Sequence, residues 1–219
     1  MLKMQPGPER AKLGFQEAVL SSFKFLGEFG LDPVEQEVTF IRYESPNVFV
    51  NVYHGRASFE LGVEVGRLKE PEQKLHIFTI VHWAGAAKAE GFGQHVMFQV
   101  GTREGVQEFV PKLAALVKKY ATPLLRGDEG AYRSVLEFRG RQYADEVKQD
   151  NLSIVRGKAE EAWHAKDYAR VVELYTPVRE ELTEVEAKKL TYAEKQPLAS
   201  ESVGSLSSSL KKALAKLFL

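Results

Sequence analysis

The chain has 219 residues, and its 30 Lys and Arg residues balance its 30 Asp and Glu residues. The zero net charge provides no overall field that would gather nucleic acid or an anionic membrane. Cysteine is absent, which excludes disulfides, thiolate metal sites and cysteine nucleophiles. The hydrophobic share of 44% fits a packed globular protein of one large domain, or of one domain with an appendage.

The first predicted element is a helix from Glu9 to Gly30, because apolar residues recur there at spacings of three and four. Gly30 is expected to close this helix in the left-handed conformation. The period then changes to two, with turn residues at Ser45-Pro46-Asn47 and His54-Gly55-Arg56. This pattern predicts an antiparallel meander of three strands, at 37–43, 48–53 and 58–65.

The stretch from Leu75 to Glu90 fits both periods. As a strand, it would place His76 and His82 on one face. As a helix, it would begin at Thr79, which is a good capping residue. We expect a short extended piece followed by a helix, with one more strand over 95–100.

From Thr102 onward the period is helical nearly to the end of the chain. The first of these helices is expected to bend at Pro111 and to end before Gly127. Asp128 is predicted to cap a second helix. A third and longer helix is indicated by apolar residues at helical spacing, namely Val147, Leu152, Val155, Ala159, Ala162 and Trp163.

Two shorter helices follow in the prediction. One begins at Tyr168 and is closed by Pro177. The other begins after Thr183, which forms a capping box with Glu186 three residues later.

These elements predict an α+β fold, with an N-terminal helix and an antiparallel β-meander followed by an all-helical C-terminal half. The predicted organisation is an α+β domain in 1–135, a helical hairpin region in 136–197, and a Ser-rich linker with an amphipathic tail helix in 198–219.

The tail carries apolar residues at helical spacing with lysines on the other side. A helix this short needs a surface to form on. Its own body, a second copy of the chain, a partner protein and an anionic membrane are the competing surfaces. We expect Leu210, Leu214 and Leu217 to dock into an apolar groove of the helical half.

No sequence motif for catalysis, cofactor binding or metal binding is found. The five histidines show no HExxH or HxH spacing, and no G-x-S-x-G, G-x-G-x-x-G or P-loop is present. We therefore predict no catalytic residue, no cofactor and no metal site, with His54 in a turn. Arg42, Tyr43 and Tyr53 lie on the meander. They are candidate binding residues, although the neutral pI argues against a nucleic-acid platform.

One segment of the helical half has a family resemblance. In 159–175 a small residue precedes the corner Lys166-Asp167-Tyr168, and Tyr168 opens the second helix. The segment resembles the middle of a tetratricopeptide-type unit, although the usual corner Gly is missing. The resemblance implies stacked helical hairpins that serve as scaffolds for partners. Trp163 and Tyr168 are then either hairpin core or the lining of a binding groove.

The first part of the chain, with Arg42-Tyr43-Glu44-Ser45 and Ser58-Phe59-Glu60-Leu61 in its strands, is similar to small uncharacterised bacterial domains. Some of those resemble immunity proteins of contact-dependent toxins. This likeness implies a binding role and transfers no site residues.

The hypothesis from the sequence is a non-catalytic protein-binding or regulatory module with a protein partner, no nucleic acid and no membrane. Its oligomeric state is left open. A cytoplasmic location is expected, since neither a secretory signal nor a long apolar run is seen. The alternative is a small-molecule enzyme with its site between sheet and helices. A pocket that holds His76 or His82 beside a buried carboxylate would favour the enzyme.

Overall fold

The computed structural model describes residues 8–55, 57–91 and 98–196. They form two compact units, which divide between Gln142 and Tyr143. The fold is α+β, as predicted, with an antiparallel sheet and helices before a helical C-terminal half. The predicted tail helix and its linker lie outside the described residues.

The strands are β1 (Asp32–Glu37), β2 (Phe40–Glu44), β3 (Val48–His54), β4 (Glu60–Arg67), β5 (Glu70–His76) and β6 (Phe98–Gln99). The helices are α1 (Pro8–Ala11), α2 (Phe15–Ser22), α3 (Ile77–Trp83), α4 (Arg103–Tyr120), α5 (Thr122–Leu125), α6 (Glu129–His164), α7 (Tyr168–Tyr175) and α8 (Glu184–Glu194). Two 3₁₀ helices occupy Lys24–Phe29 and Thr176–Glu181.

The prediction of one continuous N-terminal helix over 9–30 is wrong. Gly14 has a φ of 69° and separates α1 from α2, and the last part of the segment is the 3₁₀ helix. The predicted end is confirmed, since Gly30 closes the segment with a φ of 68°. Glycine adopts this left-handed conformation without the Cβ clash that other residues meet.

The sheet has more strands than the sequence pattern showed. Its order is β1-β2-β3-β4-β5, with all neighbours antiparallel, and β6 pairs with β4. The pattern missed most of β1 and all of β5 before its end at Leu75 and His76, because both strands consist largely of polar residues. Polar and charged residues are typical of strands at the edge of a sheet, where they discourage pairing with other chains.

The core of the first unit lies between one face of the sheet and the helices. Val50 and Val52 of β3 and Val63 and Val65 of β4 are fully buried there. α2 packs against α4, which also contacts β4. The predicted start of α4 is confirmed, since Thr102 Oγ1 accepts a hydrogen bond from Gly105 N at 3.2 Å. A helix with a continuous apolar stripe buries it against the apolar face of a sheet.

The ambiguous stretch after Leu75 begins extended and continues as a helix, as expected. The cap is His76 rather than Thr79, because His76 Nδ1 accepts a hydrogen bond from Phe78 N at 3.3 Å. The chain leaves the helix at Trp83.

The helical half contains one long helix where two were predicted. α6 runs unbroken from Glu129 to His164. Its predicted cap is confirmed, since Asp128 Oδ1 accepts from Ala131 N at 3.0 Å. The predicted capping box of Thr183 and Glu186 is present at the start of α8. Within the three described ranges, no helix is both long enough and apolar enough to cross a membrane.

The core of the second unit is small and is formed by α6, α7 and α8. Its buried residues are Ala159, Ala162, Val171, Tyr175, Leu190 and Ala193. The predicted apolar stripe of α6 is confirmed at Ala159 and Ala162, but Val147 is exposed.

Candidate functional site

Two groups of predicted binding residues lie in different units. Arg42, Tyr43 and Tyr53 belong to the sheet of the first unit, whereas Trp163 and Tyr168 belong to the second.

A row of polar side chains crosses four strands of the sheet. Arg42, Asn51, Glu64 and His76 are successive partners in the strand register. Arg42 Nη1 donates to Asn51 Oδ1 at 3.2 Å, and Asn51 Nδ2 donates to Glu64 Oε2 at 3.2 Å. Lys74 Nζ donates to the same carboxylate oxygen at 2.8 Å. From Arg42 to Glu64 the row is therefore a chain of hydrogen bonds, which stiffens this face of the sheet.

Aromatic rings lie over glycines on both sides of this polar row. Tyr53 is paired with Gly62, and Phe49 is paired with Gly66. The guanidinium of Arg42 lies over the Phe49 ring, 4.1 Å from its centroid. Burial raises the pKa of the Tyr53 hydroxyl, and Glu60 and Glu64 raise it further. Arg42 and Tyr53 thus share one sheet face, where their contacts are already made within the fold.

Tyr43 is not a surface residue, which corrects its selection as a binding residue. It lies on the opposite sheet face from Arg42, is 4% exposed and belongs to the core. Its ring stacks near Phe23, with centroids 6.4 Å apart. Burial raises the pKa of its hydroxyl to about 12. Successive residues of a strand face opposite sides, so Arg42 and Tyr43 cannot share a surface.

His54 is buried at the end of β3, whereas the sequence placed it in a turn. Arg10 Nη1 lies 3.1 Å from His54 Nδ1, and His54 Nε2 lies 2.7 Å from Val100 O. Arginine only donates, so Nδ1 accepts and Nε2 carries the hydrogen that Val100 O receives. Burial lowers the pKa of His54, and Arg10 lowers it further. His54 is therefore a neutral structural residue that connects α1 to the sheet.

His76 is also neutral in this arrangement. Its Nδ1 caps α3, and its Nε2 is buried without a hydrogen-bond partner. Burial lowers the pKa of His76, although the nearby Glu64 carboxylate partly opposes the effect. The two side chains meet the description of a histidine beside a carboxylate, but neither lines any of four clefts of the first unit, of about 530, 450, 380 and 280 Å³.

Two of these clefts show what lines them instead. One of about 530 Å³ is lined by Phe98, Leu116 and two lysines, Lys112 and Lys119, among others. Another of about 380 Å³ includes Tyr53. Neither His76 nor His82 lines either cleft. No group of three histidine, aspartate or glutamate side chains that could hold a metal ion occurs among the described residues.

An aromatic patch is the distinctive feature of the second unit. Trp163, Tyr168 and Tyr192 form it, and each ring meets the other two edge to face at centroid distances of 5.5 to 5.7 Å. Lys189 Nζ lies 5.4 Å from the Trp163 ring centroid and pairs with Glu160. Trp163 and Tyr168 are half-buried, while Tyr192 is 49% exposed. We refer to these three rings as the aromatic patch.

The sequence pattern indicated Trp163 and Tyr168 as candidate binding residues, but it did not indicate Tyr192. Tyr192 lies in α8, and it reaches the other two rings only because α8 packs beside α7. Its position two residues after the buried Leu190 gave no periodic signal for a surface role. The complete set of three rings could therefore not be predicted from the sequence, because the third ring belongs to a residue that is distant in the chain.

The corner between α6 and α7 explains how the chain turns at the patch. Lys166 has a φ of 59°, in the left-handed region, and Asp167 caps α7 by accepting a hydrogen bond from Arg170 N at 3.0 Å. Lys166 stands at the place in the corner where the tetratricopeptide pattern has glycine. A glycine would adopt this conformation without strain.

Comparison with known proteins does not assign the chain to a family. No family model, no curated protein and no solved structure matches the chain. The chain is therefore characterised by its α+β class, its polar sheet face and its aromatic patch alone.

Proposed function

We propose that this chain is a non-catalytic protein-binding module of the cytoplasm that contacts a protein partner through the aromatic patch. The observation that carries the proposal is the half-exposed Tyr192, which lies against Trp163 and Tyr168. Tyrosine and tryptophan are enriched at protein interfaces and among the residues that dominate binding energy. Their rings bury a large contact area, and fixing them costs little conformational entropy because each side chain has few rotatable bonds.

The distribution of apolar surface supports the second unit as the binding part. Two large hydrophobic side chains of α8 are exposed, Val185 at 63% and Tyr192 at 49%. The core of this unit is small, and three of its six buried residues are alanines, namely Ala159, Ala162 and Ala193. A unit with a small core and exposed apolar side chains is typical of a module that completes its burial on a partner.

The surroundings of the aromatic patch indicate what a partner would present. Lys189 and Glu160 pair beside Trp163, and His164 Nε2 lies 3.2 Å from Glu160 Oε1. Charged groups around an aromatic centre correspond to the polar rim of an interface. We infer a partner that places an apolar side chain on the rings and polar groups of both signs around them. The tetratricopeptide-like corner supports the same role, since such hairpins present partner-binding surfaces.

Tyr192→Glu tests the proposal, because it places a charge on the aromatic patch at an exposed position. Val34→Glu is the matched control, since Val34 is 57% exposed in β1 of the first unit. The immobilised full chain and both variants are incubated with lysate of the source cells, and retained proteins are identified by mass spectrometry. The wild type and Val34→Glu should retain the same protein, and Tyr192→Glu should lose it.

Titration of the purified partner then gives the dissociation constants. We expect Tyr192→Glu to weaken binding at least tenfold, about 1.4 kcal/mol, with an unchanged circular dichroism spectrum. Equal affinity of Tyr192→Glu and wild type would remove the aromatic patch from the interface. Retention of no specific protein by the wild type would overturn the proposed function.

A further inference from the structure

A second exposed apolar surface lies on α6, apart from the aromatic patch. Tyr143 is 68% exposed, Val147 is 39% exposed and Ile154 is 55% exposed. They are four and seven residues apart, so at 3.6 residues per turn they lie on one side of the helix. We call these three residues the α6 stripe.

The α6 stripe faces away from the hairpin that α6 forms with α7 and α8. Leu152 and Ala159 are buried, and at about 100° per residue they lie roughly 140–160° around the helix from the centre of the stripe. Arg156, which pairs with Glu186 of α8, lies on the same far side. The hairpin therefore covers one side of α6 and leaves the α6 stripe without a partner among the described residues.

We propose that residues 206–218 of this chain form an amphipathic helix that docks on the α6 stripe. The segment has apolar side chains at helical spacing: Leu206, Leu210, Ala213, Leu214, Leu217 and Phe218. At 1.5 Å per residue, a helix over this segment is about 18 Å long. The α6 stripe extends over about 16 Å by the same measure, so the two apolar surfaces match in length.

The charges of the two segments also favour residues 206–218 as the segment that docks on the α6 stripe. The segment 206–218 contains Lys211, Lys212 and Lys216 and no acidic residue. The part of α6 from 143 to 154 contains three acidic residues and one lysine, and that lysine, Lys148, is paired with Glu181 at 2.7 Å. Glu146 and Asp150 lie on one flank of the α6 stripe by the helical period. Opposite charges beside an apolar contact specify how two helices meet.

The connection between the two segments is long enough. Tyr192 of α8 contacts Trp163 of α6, with centroids 5.5 Å apart, so the end of α8 lies beside the end of α6. From Trp163 back to Ile154 is about 14 Å along the helix. Residues 197–205 extend over as much as about 30 Å, which covers this distance and the width of α6. The docked helix would therefore run antiparallel to α6.

Amide hydrogen exchange of the full chain tests the docking. The tail variant carries Leu210→Ser, Leu214→Ser and Leu217→Ser together, and the stripe variant carries Ile154→Gln. The control is Val185→Gln, since Val185 is 63% exposed in α8 and is not part of the α6 stripe. We expect amides in 143–154 to exchange at least tenfold faster in the tail variant, and amides in 206–218 to do so in the stripe variant.

The control should leave exchange in both segments unchanged. Equal exchange of 143–154 in the wild type and the tail variant would overturn the proposal. Protection that grows with protein concentration, together with a dimer mass in light scattering, would also overturn it and would assign the segment to a second copy of the chain. Protection that is independent of concentration supports docking within one chain.

Discussion

At the scale of single residues, each of the two glycines of β4 is covered by an aromatic ring. Gly62 lies under Tyr53 and Gly66 lies under Phe49, each directly across from its ring in the strand register. A Cβ on Gly62 would lie 2.2 Å from Tyr53 Cζ, and a Cβ on Gly66 would lie 2.3 Å from Phe49 Cζ. Glycine in a strand weakens pairing, and a covering aromatic ring compensates by shielding the backbone.

We expect Gly62→Ala to destabilise the chain by about 1–3 kcal/mol, because the methyl group must displace the Tyr53 ring. Gly140→Ala is the control, since nothing lies within 4 Å of a Cβ there. Gly140 is inside α6, so alanine should stabilise by up to about 1 kcal/mol. Urea unfolding of both variants measures these changes in the free energy of unfolding. A Gly62→Ala variant as stable as the wild type would show that the ring moves aside freely.

At the scale of elements, the corner between α6 and α7 is built on an unfavourable residue. Lys166 adopts the left-handed conformation with a φ of 59°, where the Cβ of an L-residue crowds the backbone. Asp167 then caps α7 and fixes where the second helix begins. The turn is therefore held by the cap and by the aromatic patch rather than by the preference of Lys166 itself.

Lys166→Gly should stabilise the chain by about 0.5–1 kcal/mol. Glycine removes the strain of the left-handed conformation, and the gain is reduced by its greater freedom in the unfolded chain. Thermal unfolding of the variant checks the sign. The companion variant is Lys158→Gly, since Lys158 lies inside α6, where glycine should cost up to about 1 kcal/mol. Loss of stability in Lys166→Gly would contradict a strained corner.

At the scale of the whole molecule, the buried His54 and the half-buried His76 connect stability to pH. The pKa values of His54 and His76 are both below the ordinary 6.5, mainly because burial disfavours the charged form. Below pH 6.5 the unfolded chain therefore binds protons that the folded chain does not. Stability from these two groups is complete above pH 6.5 and declines as the pH falls toward their folded pKa values.

The free energy of unfolding should therefore decline as the pH falls below 6.5, with each histidine contributing a slope of at most about 1.4 kcal/mol per pH unit. Urea unfolding at steps of half a pH unit measures this slope. His54→Gln and His76→Gln should each reduce it, because glutamine does not titrate. If both variants keep the wild-type slope, protons are taken up elsewhere in the unfolded chain.

Local chemistry was enough to predict several features. The left-handed end at Gly30 follows from the absence of a Cβ, and the helix starts at Asp128 and Thr183 follow from side chains that accept backbone hydrogen bonds. The alternation in β3 and β4 likewise follows from strands that direct every second residue into the core, as Val50, Val52, Val63 and Val65 show. These signals act over a few residues, so the sequence alone contains them.

Tertiary structure decided the rest, because the remaining features depend on residues distant in the sequence. The period of two separates Arg42 from Tyr43, but only the helices packed on one face show that Tyr43 is in the core. The chain of hydrogen bonds from Arg42 to Glu64 requires the register of three strands. The aromatic patch requires Tyr192 of α8, which lies 29 residues after Trp163 in the sequence. Contacts of this kind are set by packing, and no local pattern records them.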